Sequence, residues 1–169
     1  MTIAVRQFAP HEWRVYRELR LRALGDSPDA FGSIYTHEAA RADTEWEQRL
    51  TAGVAARGQM PVVALSGETP IGLAWGLQDK EDATIAHVFQ VWVSPEARGQ
   101  GVGRLLLDAV LTWAQAIGVR TVRLGVTDSY PAAVRLYRQA GFVDAGEPEP
   151  LRPGSPILCQ PMQLVLEPG

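Results

Sequence analysis

The seventeen residues from Val91 to Leu107, V-W-V-S-P-E-A-R-G-Q-G-V-G-R-L-L-L, constrain the fold more than any other stretch of this chain. They read as an apolar strand, a short turn at Ser94 and Pro95, a loop of alternating glycines at Gly99, Gly101 and Gly103, and a leucine-rich helix. A strand that runs into a glycine loop and leaves it as a helix is an arrangement for binding anions. Glycine lets a ligand approach the backbone, and the helix start offers unpaired N–H groups at the positive end of the macrodipole. A phosphate-bearing ligand is expected at this loop.

Spacing narrows the ligand. A dinucleotide fingerprint, G-x-G-x-x-G, fails because Arg104 or Leu106 falls where the last glycine belongs. A P-loop fails because no lysine follows Gly103. What remains is R-x-x-G-x-G, written as Arg98, Gly101 and Gly103. This motif resembles the pyrophosphate-binding loop of the GNAT superfamily of acyl-CoA-dependent N-acyltransferases. The resemblance continues through L-G-V-T-D-S-Y-P-A-A-V-R-L-Y-R-Q-A-G-F, Leu124 to Phe142, which is similar to the family's strand and helix ending in L-Y-x-x-x-G-F.

The rest of the chain supplies a sheet around this unit. Thr2 to Phe8 alternates as a first strand, His11 to Leu24 has helical spacing with Gly25 as its stop, and Asp26 to Ser33 reads as loop. A second helix starts at Thr44 and ends near Gly53. Pro61 to Leu65 and Ile71 to Leu77 form a hairpin, and Ala83 to Val93 is the long strand into the glycine loop. The following helix stops at Gly118, and Thr121 to Val126 is strand. Pro131 to Ala140 is helix, closed by Gly141, and Phe142 onward is strand. A proline-rich break from Pro148 to Pro156 precedes a last strand, Leu158 to Leu166. Hairpins followed by a strand-helix-strand crossover predict a mixed α/β sheet with helices on its faces. The resemblance implies the GNAT fold, a largely antiparallel sheet of six or seven strands flanked by about four helices.

Composition bounds what such a chain does. With 169 residues, 46% of them hydrophobic, one domain spanning 1–169 is expected. A net charge of -3 and the lack of any dense basic run argue against nucleic acid as partner. No apolar stretch approaches the roughly 18 to 20 residues of a membrane span, and the start M-T-I-A-V-R-Q lacks a signal-peptide core. A soluble cytoplasmic protein with no membrane partner is the expectation. Cys159 stands alone, and His11, His37 and His87 are too scattered for metal-ligand spacing, so no metal is expected.

The resemblance implies acetyl-CoA as co-substrate and a primary amine of a small molecule or peptide as acceptor. The strands around Val93 and Val126 would part to admit coenzyme A. Main-chain groups at Val91, Trp92 and Val93 would pair with its pantetheine arm. Arg98, Gly99, Gln100, Gly101, Val102, Gly103 and Arg104 would hold its pyrophosphate. Many members carry an asparagine before the last crossover helix; here that place is Tyr130, with Asp128 or Ser129 left to cap the helix. Amide formation needs removal of a proton from an ammonium, a donor for the developing oxyanion, and a proton for the departing thiolate. Tyr137 aligns with the tyrosine that serves as this acid. His87 matches the position of a glutamate base, and a histidine has an intrinsic pKa of about 6.5 suited to the task. Asp128 and ordered water are the alternatives. The acceptor groove would be lined by Phe31, Gly32, Ser33, Trp46, Trp75, Gln90, Trp92 and the Pro148 to Pro156 segment. Glu38 and Glu45 read either as attractors of a cationic amine or as helix-surface charges. The acceptor class stays open among a small amine, an antibiotic, an amino acid and a protein terminus. A non-catalytic acyl-CoA-binding module of the same fold is the alternative function, and a homodimer through the late strands is expected by analogy with relatives.

Overall fold

The computed structural model describes residues 2–168. Its strands are β1 (Ile3–Gln7), β2 (Gln59–Ser66), β3 (Thr69–Gln78), β4 (Ile85–Val93), β5 (Thr121–Thr127), β6 (Val143–Asp144), β7 (Glu149–Pro150) and β8 (Leu158–Val165). Its helices are α1 (Trp13–Asp26), α2 (Tyr35–Ala39), α3 (Asp43–Ala55), α4 (Val102–Ala116) and α5 (Pro131–Gln139). All eight strands join one sheet in the order β1-β2-β3-β4-β5-β8-β6, with β7 also paired to β8. Every pairing is antiparallel except β4 with β5, which the α4 crossover makes parallel. The fold is therefore the expected mixed, largely antiparallel α/β sheet. It has one strand more than the six or seven expected because Phe142 onward breaks into the two-residue pieces β6 and β7.

The helix boundaries depart from the sequence reading at two places. Gly25 does not stop α1; the helix runs to Asp26 and closes where the Ser27 N–H donates to the Ala23 carbonyl. The segment after it is not plain loop, since Pro28–Ala30 makes a 3-10 turn and α2 follows at Tyr35. α2 holds only five residues, too few for a periodic apolar signal.

Two apolar layers sandwich the sheet. One packs α1 and α3 against it through Trp13, Tyr16, Leu24, Trp46 and Leu50. The other packs α4 and α5 through Val102, Leu106, Leu107, Val110, Trp113 and Tyr137. Full burial of a leucine such as Leu106 or Leu107 stabilises the fold by about 1.5–3 kcal/mol.

A bulge in β4 decides where the two layers are breached. Trp92 pairs with Leu73 and Phe89 with Trp75, so Gln90 and Val91 together face Ala74 alone. Gln90 adopts φ of 60°, the left-handed region that non-glycine residues seldom enter. The extra residue inverts the alternation. Ala86 and Val88 face the α4 layer, but beyond the bulge it is Val91 and Val93 that face α4, while Trp92 turns to α1. The bend also parts β4 from β5. These strands pair only from Ile85–Thr121 to His87–Arg123, and past that point the β4 edge has no strand partner among the described residues.

Candidate active site

The opening between β4 and β5 joins two cavities. The larger, about 690 Å³, lies toward α1 and α2 and is lined by Phe31, Ser33, Trp75, Gln90, Val91 and Tyr137 among others. The second, about 560 Å³, lies over the glycine loop and is lined by Val91, Val93, Gly101, Val102, Gly103 and Tyr137 among others. Ala30, Phe31, Val91, Tyr130, Ala133 and Tyr137 border both. The sheet's opening is thus a continuous passage, with Val91 on one wall and Tyr137 on the other.

The loop side is built for a polyanion. Gly101 is the residue that precedes α4; it sits at φ of 81° and no side chain caps the helix start. The first-turn N–H groups of Val102, Gly103 and Arg104 are therefore without intrahelical acceptors, and no acidic residue occupies that turn. A Cβ placed on Gly99 or Gly101 would meet no protein atom within 4 Å, so the space above both is open. Gly103 serves differently. A Cβ there would stand 3.2 Å from a Leu136 methyl, which makes Gly103 the place where α4 and α5 approach. Three arginines and no carboxylate line this cavity: Arg98, Arg104 and Arg135. Arg98 and Arg104 are paired with Asp26 and Asp108, so what fits the pyrophosphate of coenzyme A is the unpaired amides, the open space above the glycines and the charge of Arg135.

Several expected contacts take other duties. Arg98 lines the cavity, but its Nη2 donates to Asp26 at 2.6 Å and its Nε to the Val93 carbonyl at 3.0 Å. It clamps the end of α1 to the end of β4. Trp92 likewise donates its indole N–H to Asp26 at 3.0 Å, so it reaches the cavity only from within the core. Gln100 is exposed and borders neither cavity. Tyr130 is itself the residue preceding α5 and makes no side-chain cap bond, so neither Asp128 nor Ser129 caps that helix; Pro131 at its first position makes a cap less necessary.

Phe31, Ser33, Trp75 and Gln90 come together on the wall of the larger cavity. Trp75 is buried, donates its N–H to Gln59 at 3.0 Å and stacks on Phe89. Trp46 is a correction: it is wholly buried between α1 and α3 and borders neither cavity. Of the two readings of Glu38, the helix-surface charge fails. The residue is 6% exposed, lines the cavity and accepts hydrogen bonds from Arg41 and from Arg49. Burial alone would raise its pKa, but the Arg41 hydrogen bond and the charges of Arg49, Arg41 and Arg20 outweigh that and hold it below the usual carboxylate range.

The candidate base does not reach this place. His87 lies on the paired stretch of β4, where its Nε2 is 2.9 Å from an Asp79 carboxylate oxygen, and it borders neither cavity. Asp128 is exposed and also outside both. Tyr137, by contrast, stands in the passage, 7% exposed, its ring edge-on to Phe142. Burial pushes its phenol pKa well above the ordinary tyrosine value, so it stays protonated and can act as a donor but not as a base.

Sequence reasoning missed Arg20, Arg49, Arg135 and Cys159 as lining residues. Arg20 alone had a signal. Tyr16, Arg20 and Leu24 are spaced four apart on one stripe of α1, which puts a guanidinium among core residues.

Known proteins agree with this geometry. The model of the acetyltransferase (GNAT) family matches residues 15–142. A mycothiol acetyltransferase from Stackebrandtia nassauensis is 32% identical over 146 residues, which covers 83% of this chain and 44% of that protein. The chain thus spans under half the length of this curated relative. Among solved structures, a GNAT-family acetyltransferase from Streptococcus pneumoniae superposes with a TM-score of 0.82 at 23% identity, over 98% of this chain and 100% of that one. A phosphinothricin acetyltransferase from Sinorhizobium meliloti, in complex with AcCoA, gives 0.81 at 23% identity over 100% and 91%. These two are likenesses of fold, and the family rests on the sequence match across the strand, glycine loop and tyrosine helix: the chain belongs to the acetyltransferase (GNAT) family.

Proposed function

We propose that this chain transfers an acetyl group from acetyl-CoA to a primary amine, by direct attack while both are bound. The observation that carries the reading is the passage between β4 and β5, where one anion-binding cavity and one acceptor cavity meet at Val91 and Tyr137. Acetyl-CoA would lie with its pyrophosphate on the amides of Val102, Gly103 and Arg104, and its extended arm along the unpaired edge of β4, completing the sheet as a strand would. The bulge at Gln90 supports this placement because it turns that edge toward the gap.

In the reaction the free amine attacks the acetyl carbonyl, a C–N bond forms, the C–S bond breaks, and the thiolate leaves. Tyr137, which borders both cavities, would give the thiolate its proton and recover one from the protonated product side through water. A main-chain N–H of β4 near Val93 would stabilise the oxyanion. The proton lost by the incoming ammonium passes to water, since Glu38 is ion-paired and His87 is elsewhere.

Release of free thiol from acetyl-CoA, measured against a panel of primary amines, tests the reading. Acceptor-dependent release is the expected result. Acetyl-CoA binding with no release for any amine would return the chain to a cofactor-binding role.

A further inference from the structure

The acceptor cavity holds more positive charge than its own counter-charge balances. Its charged lining is Arg20, Arg41, Arg49 and Glu38, three cations against one anion. Glu38 is already engaged, since it accepts from Arg41 and lies 3.4 Å from Arg49. Arg20 has no such partner. It is 3% exposed on the buried stripe of α1, and its Nε and Nη1 make no hydrogen bond. Its guanidinium carbon lies 4.8 Å over the ring of Phe31, which covers one face of the group, while Nε and Nη1 are buried without a partner. Glu38 is near enough to feel its charge but makes no bond to it, and a buried guanidinium with no carboxylate bonded to it costs stability that a fold tolerates most readily where a ligand offsets it.

We propose that the acceptor is a primary amine that also carries a carboxylate, and that Arg20 binds this carboxylate. The inference rests on the acetyltransferase reading and specifies its acceptor. A guanidinium fork matches a carboxylate with two parallel hydrogen bonds, a geometry no monovalent lysine or amide supplies. The carboxylate would bring the cavity toward neutrality and set the molecule's far end, leaving its amine to reach toward Tyr137 and Val91 in the same cavity. A polyamine would add positive charge beside Arg20 and Arg49 and is turned away by repulsion. Phe31 and Trp75 supply apolar walls for whatever side chain joins the two groups.

The test compares amino acids with their primary amides and with linear diamines, using the full chain in the presence of coenzyme A. Calorimetry reads binding, and thiol release from acetyl-CoA, compared at matched free-base concentration, reads turnover. The expected result is that wild type binds the carboxylates at least tenfold more tightly than the amides, with the same order in kcat/KM. In Arg20→Met the carboxylate-to-amide ratio falls to within about twofold of one. Because the wild-type comparison needs no variant, a misfolded Arg20→Met leaves the test intact. Equal affinity for acids and amides, a preference for diamines, or no binding of any carboxylate would overturn the inference. Binding without thiol release would instead sink the transferase reading and leave the carboxylate site standing.

Discussion

The hydroxyl of Tyr16 donates to the Oε1 of Gln90 at 2.9 Å, tying the buried stripe of α1 to the one residue of β4 that sits in the left-handed region. The bond spans 74 positions of sequence and fixes the bulge from which the β4–β5 gap follows. Tyr16→Phe should cost about 1 kcal/mol, the net worth of a part-buried hydrogen bond. In a Gln90→Gly background, where the acceptor is gone and the backbone is relaxed, the same change should cost markedly less. Denaturant unfolding of the four proteins measures the coupling, and identical costs in both backgrounds would show that the bond does not hold the bulge.

The glycine loop makes a second prediction with an internal control. Gly101→Val places a branched side chain at φ of 81° and in the open space above the helix start. Strain should take about 1–3 kcal/mol from stability, and coenzyme A affinity should drop by more than tenfold because the side chain blocks the approach to the amides. Glu96→Gln, five residues earlier, paired with Arg22 and outside this cavity, keeps that approach open and should bind as wild type does. Calorimetry on both variants decides it; unchanged affinity in a folded Gly101→Val would remove the loop from the cofactor site.

The sequence exposed the parts of this molecule whose signals are local. Strand, glycine loop and α4 announce themselves in consecutive residues, and Tyr137 is marked by the motif around it. What stayed hidden depends on pairs far apart in the chain. Nothing in V-F-Q-V-W-V shows that Gln90 bulges; the inversion that sends Trp92 to α1 and Val91 to α4 is set by register against β3. Arg98 looks like a phosphate ligand until Asp26 is brought beside it from the end of α1. Glu38 reads as a surface charge because α2 is too short to show a face, and its burial follows from the arginines that reach it from elsewhere.

Acid stability should report the tie between β1 and the entry to α1. Arg6 donates to both oxygens of Glu12, at 2.8 and 2.9 Å, and the Ala9 N–H adds a third bond. The Arg6 hydrogen bond is the main cause that lowers the Glu12 carboxyl from 4.5 to about 2. Because the folded pKa is the lower one, this stabilisation is whole above about pH 4.5 and is lost as the pH falls toward 2. Glu12→Gln should therefore be less stable at neutral pH by about 1 kcal/mol, a figure reduced for the exposed arginine, and should converge on wild type near pH 2. Thermal melts from pH 7 to 2 measure the gap; a constant gap across that range would show that the pair is not what titrates.

The last prediction separates the two residues offered for proton transfer. Tyr137 stands where both cavities meet, and its buried phenol stays protonated across the working pH range. Tyr137→Phe keeps the ring against Phe142 and removes only the proton, so kcat should fall by about 10² to 10⁴ while coenzyme A affinity stays within a few-fold of wild type. A fall in affinity to match the fall in rate would make the residue a cofactor contact instead. His87 is held by Asp79 where β4 and β5 are still paired, away from both cavities. A histidine base would give the rate an acidic limb at about pH 6 to 7. With His87→Ala that profile should keep its shape, because the residue touches neither the acceptor nor the passage. A limb that vanishes in His87→Ala, with stability and coenzyme A affinity unaltered, would restore the histidine to the reaction through a chain of water molecules.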